Sequence, residues 1–180
     1  MDLTETLISS ETIASGGMLT VKRDQVRLPN GHISQREYVL HPGAVVVLPL
    51  LANGNVILEK QFRYPLHQVF IELPAGKIDA NEDILVTGQR ELLEETGYSA
   101  TEWIKLGHLH PCIGYSNEVI HMYLARGLKQ GPHQRDLDES LEVFEASLPD
   151  CLRMIETGEI TDGKTIATLL IAEKYLARHP

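Results

Sequence analysis

The segment 76–98, GKIDANEDILVTGQRELLEETGY, constrains this chain more than any other part of its sequence. Its apolar spacing predicts a helix over residues 82–96, with Asn81 as the N-cap and Gly97 just past the end. Gly88 lies in the middle of this helix, where glycine costs about 1 kcal/mol relative to alanine. That cost indicates tight packing, so we expect the face that contains Gly88 to pack inward.

Three glutamates occupy a different face of the same helix. Glu91, Glu94 and Glu95 stand at i, i+3 and i+4, where each like-charged pair costs roughly a few tenths of a kcal/mol on an isolated helix. One interpretation is a solvated acidic face. The other is a site for a hard divalent cation such as Mg²⁺, which prefers carboxylate oxygen and reverses the repulsion. Two features favour the metal site. The three glutamates lie near the C-terminus of the helix, where the macrodipole disfavours anions. Arg90 lies beside them and can hold one carboxylate through two hydrogen bonds.

The spacing of these residues resembles the Nudix box, G-x5-E-x7-R-E-U-x-E-E-x-G-U, in which U is a bulky apolar residue. The residues in register are Gly76, Glu82, Arg90, Glu91, Leu92, Glu94, Glu95 and Gly97, with Tyr98 in the final apolar place. Chance agreement at the seven fixed identities has odds on the order of 10⁻⁸ per start position. The resemblance implies a Nudix hydrolase, which splits a nucleoside diphosphate linked to another group. It also implies an α/β fold, a Nudix-like α/β/α sandwich with a mixed sheet.

The same resemblance implies roles for the residues in and beside the box. The implied metal ligands are the backbone carbonyl of Ala75 and the side chains of Glu91, Glu94 and Glu95. The residues implied to orient or surround these ligands are Arg90, Glu82 and Gly76. Two or three Mg²⁺ ions, or Mn²⁺ as a substitute, would neutralise the diphosphate, activate water and stabilise the leaving oxygen. Glu94 and Arg90 are therefore expected to be essential for catalysis.

Motifs outside the box resemble the ADP-ribose pyrophosphatase branch of the family. They are His41-Pro42-Gly43-Ala44, Phe62-Arg63-Tyr64-Pro65, Glu72-Leu73-Pro74-Ala75-Gly76-Lys77, Gly114-Tyr115-Ser116-Asn117-Glu118 and Lys164-Thr165-Ile166. The implied reaction is Mg²⁺-dependent hydrolysis of ADP-ribose, or of a similar ADP-sugar, to AMP and a sugar phosphate. One departure is Ile113, which stands where this branch usually has proline. The alternatives are another nucleoside diphosphate derivative, such as a GDP-sugar or a dinucleoside, and a non-catalytic ADP-ribose sensor.

The general base is expected outside the box. By resemblance, a loop before the last two helices supplies it, and the acidic run 136–142 lies there. Glu139 is the first candidate and Asp138 the second, and geometry must decide between them, since a base needs hydrogen-bond reach to the attacking water. The alternative for such a run is a solvated loop.

Three further residues are candidates for contacts with the substrate. Arg63 can bind phosphate or stack on a base through its guanidinium group. Glu72 can accept a hydrogen bond from a ribose hydroxyl or an adenine amine, and Glu118 lies in a loop-to-strand region after the box. The ordinary alternatives are a surface arginine at position 63 and an ion pair between Glu72 and Lys77.

The rest of the pattern predicts two parts. Residues 1–42 form a small antiparallel β appendage, because polar and apolar residues alternate on both sides of Asn30-Gly31, the strongest short hairpin signal. By resemblance, this appendage would contact a second copy of the chain in a homodimer. Residues 43–180 form the Nudix domain, in which the continuous apolar run 44–51 predicts a strand buried on both faces.

The composition limits the partners of this protein. A net charge of -9 disfavours a nucleic-acid backbone, but a bound cation makes a small phosphate ester acceptable. No apolar run of about 18 residues is present, so no membrane span is expected. The polar, acidic start does not resemble a secretory signal, and Cys112 and Cys151 lack metal or redox spacing. Together these features predict reduced thiols in a cytoplasmic protein.

Overall fold

The computed structural model describes residues 1–131 and 140–179. The chain divides into two compact units, one made of Met1–Pro42 with His110–Val119 and the other of Gly43–Leu109 with Ile120–Pro180. All α-helices in the described residues belong to the second unit. None of them is long and apolar enough to cross a membrane.

The first unit contains an antiparallel sheet of three strands. These are β1 (Thr6–Ser15), β2 (Thr20–Arg27) and β3 (Ile33–Leu40), with β2 in the middle. The turn between β2 and β3 contains Gly31 at a φ of 87°, a left-handed conformation that glycine adopts without strain. The predicted hairpin is therefore confirmed. The sequence pattern does not predict β1, because its side chains are exposed throughout and show no apolar alternation.

The second unit is built on two main sheets. Its strands are β4 (Ala44–Pro49), β5 (Asn55–Arg63), β6 (Gln68–Glu72), β7 (Ala75–Lys77), β8 (Tyr98–Ser99), β9 (Glu102–Leu109), β10 (Ile120–Arg126), β11 (Lys129–Gln130) and β12 (Leu141–Ser147). One sheet has the order β7-β4-β10-β9 and is mixed, since β10 runs parallel to β4 and the other pairs are antiparallel. The other is antiparallel, with the order β12-β5-β6, and β8 pairs separately with β11.

Three helices accompany these sheets: α1 (Ile84–Thr96), α2 (Leu148–Thr157) and α3 (Gly163–Leu176). Helix α1 begins two residues later than predicted, because the Asp83 carboxylate accepts hydrogen bonds from the N–H groups of Leu85 and Val86. The prediction of Asn81 as the N-cap is therefore wrong, and Asn81 lies in the preceding turn at a φ of 67°. Gly97 ends the helix as predicted, in the left-handed conformation at a φ of 75°.

Strand β4 is buried on both faces, as its continuous apolar sequence predicts. Val45 and Val47 pack in one cluster with Leu92 of α1, whereas the opposite face of β4 packs in a second cluster with α2 and α3. A methyl group on Gly88 would come within 3.1 Å of the Val45 side chain, which confirms the tight packing predicted there. Helices thus cover both sides of the mixed sheet, and the predicted α/β/α sandwich is confirmed.

Candidate active site

The three predicted metal ligands of α1 lie beside β7. We call Glu91, Glu94 and Glu95 the glutamate face. Glu91 is 8% exposed and Glu95 is 2% exposed, although glutamate is seldom buried without a compensating partner. The backbone N–H of Ala75 donates a hydrogen bond of 2.9 Å to the Glu95 carboxylate. The backbone of β7 therefore fixes the most deeply buried member of the glutamate face.

Gly76 allows β7 to approach the helix this closely. A methyl group built on Gly76 would collide with the carboxylate of Glu91. The φ of Gly76 is not positive, so space and not backbone conformation requires glycine at this position. Any side chain at residue 76 would displace that carboxylate, which explains in physical terms why the glycine and the glutamate occur together.

Arg90 binds several of the surrounding carboxylates at once. Its Nε and Nη2 groups donate to the two oxygens of Glu82 at 2.9 and 3.0 Å. Its Nη1 group donates to Glu91 at 2.8 Å and to Glu94 at 3.0 Å. The hydrogen bonds from Arg90, which outweigh the opposing effect of burial, lower the pKa of Glu82 to about 2. The Thr87 hydroxyl also donates to Glu82 at 2.8 Å. Glu82 is therefore ionised and holds the Arg90 guanidinium in position.

The donor chemistry of the glutamate face fits a divalent cation. Its donors are carboxylate oxygens, which hard cations prefer, and the missing side chain of Gly76 leaves them room. Over residues 1–131 and 140–179, no three carboxylate, imidazole or thiol side chains converge as they stand on a point that could hold an ion. Two members of the glutamate face, Glu91 and Glu94, accept hydrogen bonds from Arg90.

A second charged group, which we call the hairpin cluster, is formed by Arg63, Glu72, Asp162 and Lys164. The Nε and Nη2 groups of Arg63 donate to the two oxygens of Glu72 at 2.7 Å each. The Nζ group of Lys164 donates to Glu72 and, at 3.0 Å, to Asp162. Glu72, which is 2% exposed, therefore has two cationic partners, and a further buried carboxylate, Glu59, lies opposite it on β5.

The hairpin cluster changes the interpretation of Glu72. Arg63 and Glu72 were both predicted to contact substrate, and the structure joins them to each other. Glu72 pairs with Arg63 and Lys164, so the alternative pairing with Lys77 is wrong. Burial raises the pKa of Glu72, but the hydrogen bonds and charges of its two partners outweigh burial, and the pKa lies below its ordinary value. Sequence reasoning missed Lys164 as part of a site, because a lysine in the first turn of a helix is ordinarily exposed.

The remaining predicted site residues are Glu118, Glu139 and Asp138. Glu118 belongs to the first unit, where its carboxylate lies 3.6 Å from Nδ1 of His41. Its backbone N–H donates to the hydroxyl of Ser116 at 3.1 Å. Glu139, the predicted base, and Asp138 lie outside the described residues, so both stay predictions.

Comparison with known families identifies the family of this chain. The NUDIX domain model matches residues 39–169, nearly three quarters of the chain. The chain belongs to the Nudix family. A second family model, the nucleoside diphosphate sugar hydrolase N-terminal domain, matches residues 5–39. The Nudix hydrolase predicted from the segment 76–98 is confirmed, and Nudix hydrolases generally use a divalent metal ion.

Individual relatives of this Nudix hydrolase carry different names. The ADP-ribose pyrophosphatase of Bacillus subtilis (strain 168) is 42% identical over 165 residues, which cover 91% of this chain and 89% of that protein. The methanol dehydrogenase activator of Bacillus methanolicus is 40% identical over 176 residues, covering 96% and 92%. A solved structure of an ADP compounds hydrolase superposes with a TM-score of 0.89 at 21% identity, covering 99% of this chain and 98% of the other. At that identity the likeness shows the fold alone.

Proposed function

We propose that this Nudix hydrolase cleaves the pyrophosphate bond of ADP-ribose, or of a similar ADP-sugar, in a Mg²⁺-dependent reaction that yields AMP and a sugar phosphate. The glutamate face is the observation that carries the proposal. The buried carboxylates of Glu91 and Glu95 lie against β7, where any side chain at residue 76 would collide with Glu91. Similarity to an ADP-ribose pyrophosphatase over most of both chains supports the choice of substrate.

The proposed roles follow from these contacts. The glutamate face and the backbone carbonyl of Ala75 would hold Mg²⁺, or Mn²⁺ in its place. When bound, the metal neutralises charge on the diphosphate and activates water. Arg90 orients Glu91 and Glu94 through its Nη1 hydrogen bonds, and Glu82 fixes Arg90 from the other side. Water adds to one phosphorus, and the bond from phosphorus to the leaving oxygen breaks.

Four residues outside the glutamate face complete this proposal. The side chain of Arg63 is 41% exposed while its guanidinium is held by Glu72, so it is proposed to contact the substrate directly. Glu72, almost wholly buried, is proposed to act through Arg63 and not by touching the substrate. Glu118 as a substrate contact and Glu139 as the general base are proposed from the sequence resemblance.

The decisive experiment is product analysis over a panel of ADP-ribose, ADP-glucose, GDP-mannose, a dinucleoside polyphosphate and a dNTP, with Mg²⁺ and with chelator. We expect preferential release of AMP from ADP-ribose that chelation abolishes. Preference for GDP-mannose would contradict the proposed substrate but agree with the proposed pyrophosphate hydrolysis. Tight binding of ADP-ribose without turnover of any compound would favour the alternative function, a non-catalytic ADP-ribose sensor.

We also propose that residues 1–42 mediate a homodimer, with residues 43–180 as the Nudix domain. Strand β1 supports this, since all its side chains are exposed, including Leu7, Ile8 and Ile13. Gel filtration should give an apparent mass twice that of one chain, and elution at the mass of one chain would contradict the dimer. A cytoplasmic location is proposed because Cys112 and Cys151 are both free thiols.

A further inference from the structure

A cleft of about 550 Å³ opens at the C-terminal end of α1, the helix that carries the glutamate face. Thr96, the residue after Glu95, forms part of its wall, and residues of β5, β8, β11 and β12 form the rest. Small-molecule sites commonly have volumes of roughly 300–1,000 Å³. Cleavage of a pyrophosphate bond leaves one part of the substrate on each side of the metal, so a cleft that begins beside the glutamate face has room for one of these parts.

Tyr98 presents its side chain to this cleft. The register of β8 and β11 sets Tyr98 opposite Gln130 and Ser99 opposite Lys129. Opposite residues of an antiparallel pair point to the same face, whereas neighbours along one strand point to different faces. Tyr98 and Gln130 both line the cleft, and Ser99 and Lys129 do not. This alternation shows that the side chains of Tyr98 and Gln130 form the wall.

The hydroxyl of Tyr98 is available to a ligand. It makes no hydrogen bond with residues 1–131 or 140–179, and it is not among the buried polar atoms of those residues that lack a partner, so a ligand can reach it. The ring is half-buried and packs against the cluster that contains Val45, Val47 and Leu92. The Nudix box requires only a bulky apolar residue at this position, so packing alone does not explain the hydroxyl. Tyr98 therefore offers a donor and an acceptor on a fixed ring.

The other polar groups of the cleft suit hydroxyls better than phosphate. Glu142 and Glu145 line it, and no lysine or arginine of the described residues does. Lys60 donates one hydrogen bond to Glu142 at 2.9 Å, and Asn55 donates one to Glu145 at 3.1 Å. Each carboxylate can accept further hydrogen bonds through its second oxygen. A sugar presents several hydroxyl donors to such acceptors, whereas adenine presents a single amino group.

We propose that Tyr98 is a specificity-determining residue whose hydroxyl, with the Gln130 amide opposite it, binds the terminal sugar of the substrate in the cleft at the end of α1. The proposal rests on the proposed function for the reaction and for the identity of the nucleotide. It assigns recognition of the sugar to residues that directly follow the glutamate face, and it leaves Arg63 to contact another part of the substrate.

The test compares ADP-ribose and ADP, which differ in the terminal sugar, as ligands in isothermal titration calorimetry with chelator, so that ADP-ribose stays uncleaved. Tyr98→Phe removes only the hydroxyl. We expect its affinity for ADP-ribose to fall about three- to tenfold, the range of one hydrogen bond, and its affinity for ADP to stay within about twofold. Tyr175→Phe, which removes a hydroxyl from α3 outside the cleft, is the control and should bind both ligands like the wild type.

Three results would overturn the assignment: unchanged affinity of Tyr98→Phe for ADP-ribose, equal loss of affinity for both ligands, or a wild type that does not prefer ADP-ribose to ADP. Turnover of ADP-ribose by the wild type with Mg²⁺ tests the proposed function separately. Selective loss of ADP-ribose affinity in Tyr98→Phe, without any such turnover, would support the sugar contact and contradict the reaction.

A second variant covers the case in which Tyr98→Phe fails to fold, as measured by circular dichroism. Gln130 is exposed, so Gln130→Leu should fold while it removes the neighbouring amide from the cleft. We expect Gln130→Leu to lose affinity for ADP-ribose about threefold or more and to bind ADP normally. Wild-type affinity of this variant for both ligands would overturn the assignment.

Discussion

Two arginines in this protein each donate two hydrogen bonds to one glutamate, Arg90 to Glu82 and Arg63 to Glu72, but the charged groups around the two pairs differ. Arg90 holds Glu82 and also reaches Glu91 and Glu94, so carboxylates outnumber the single cation there. In the hairpin cluster, the two cations Arg63 and Lys164 both bind the single carboxylate of Glu72. Several carboxylates around one cation need a further cation to offset their repulsion, whereas Glu72 already has two cationic partners. We therefore propose that the same arginine–glutamate arrangement supports a metal site beside Arg90 and a preorganised substrate contact at Arg63.

This difference predicts different kinetic effects. Groups that neutralise the transition state lower kcat when removed, and groups that only position the substrate raise KM. We therefore expect substitutions in the glutamate face to act on kcat and substitutions in the hairpin cluster to act on KM.

The largest effect is expected from Glu94→Gln, which keeps the shape of a proposed metal ligand and removes its charge. We expect kcat for ADP-ribose to fall about 100-fold or more, because the carboxylate would neutralise and hold Mg²⁺. Steady-state kinetics at saturating Mg²⁺, with circular dichroism to confirm folding, would measure it. The matched control is Glu156→Gln, an exposed glutamate on α2. Near-normal kcat in a folded Glu94→Gln enzyme would remove the metal assignment.

Gly76→Ala should have the next largest effect. The added methyl group would push the Glu91 carboxylate out of place, so we expect activity to fall about 10- to 100-fold. Overpacking should also lower the free energy of unfolding by about 1–3 kcal/mol. Kinetics and urea denaturation would measure both quantities. Gly16→Ala is the control, since no atom lies within 4 Å of a methyl group there. Equal behaviour of the two variants would show that the close approach of β7 is unimportant.

Glu72→Gln would test the hairpin cluster. A neutral amide cannot hold both Arg63 and Lys164, so the guanidinium would lose its fixed position. We expect KM for ADP-ribose to rise about tenfold, equivalent to about 1.4 kcal/mol, with kcat changed much less. A fall in kcat as large as that of Glu94→Gln, with KM unchanged, would erase the proposed division between the two regions.

The smallest effect concerns stability in acid. The folded pKa of Glu72 lies below its ordinary value, so Glu72 contributes stability above about pH 4.5 that is lost as the pH falls through the folded pKa. The Tm of Glu72→Gln, although lower near neutrality, should therefore decline less than that of the wild type between about pH 5 and pH 3, by roughly 2–4 °C. Parallel Tm declines in calorimetry would show that Glu72 is not stabilised as an anion.

The sequence predicts correctly those features whose residues lie close together in the chain. The helix, its glutamate spacing and the end at Gly97 follow from one continuous segment, because helical periodicity places residues three and four apart on one face. The N-cap was assigned to Asn81 instead of Asp83, since both residue types cap helices and only the backbone conformation separates them. Strand β1 could not be predicted because an exposed strand carries no apolar alternation.

By itself, the sequence determined the family, the α/β/α class and the acidic face of α1, because all three depend on residue types at fixed local spacing. Only the tertiary structure decided that Lys164 reaches Glu72 across 92 positions and that Gly76 lies against Glu91. These contacts depend on strand register and on how helices pack over sheets, which bring together residues whose separation along the chain carries no periodic signal.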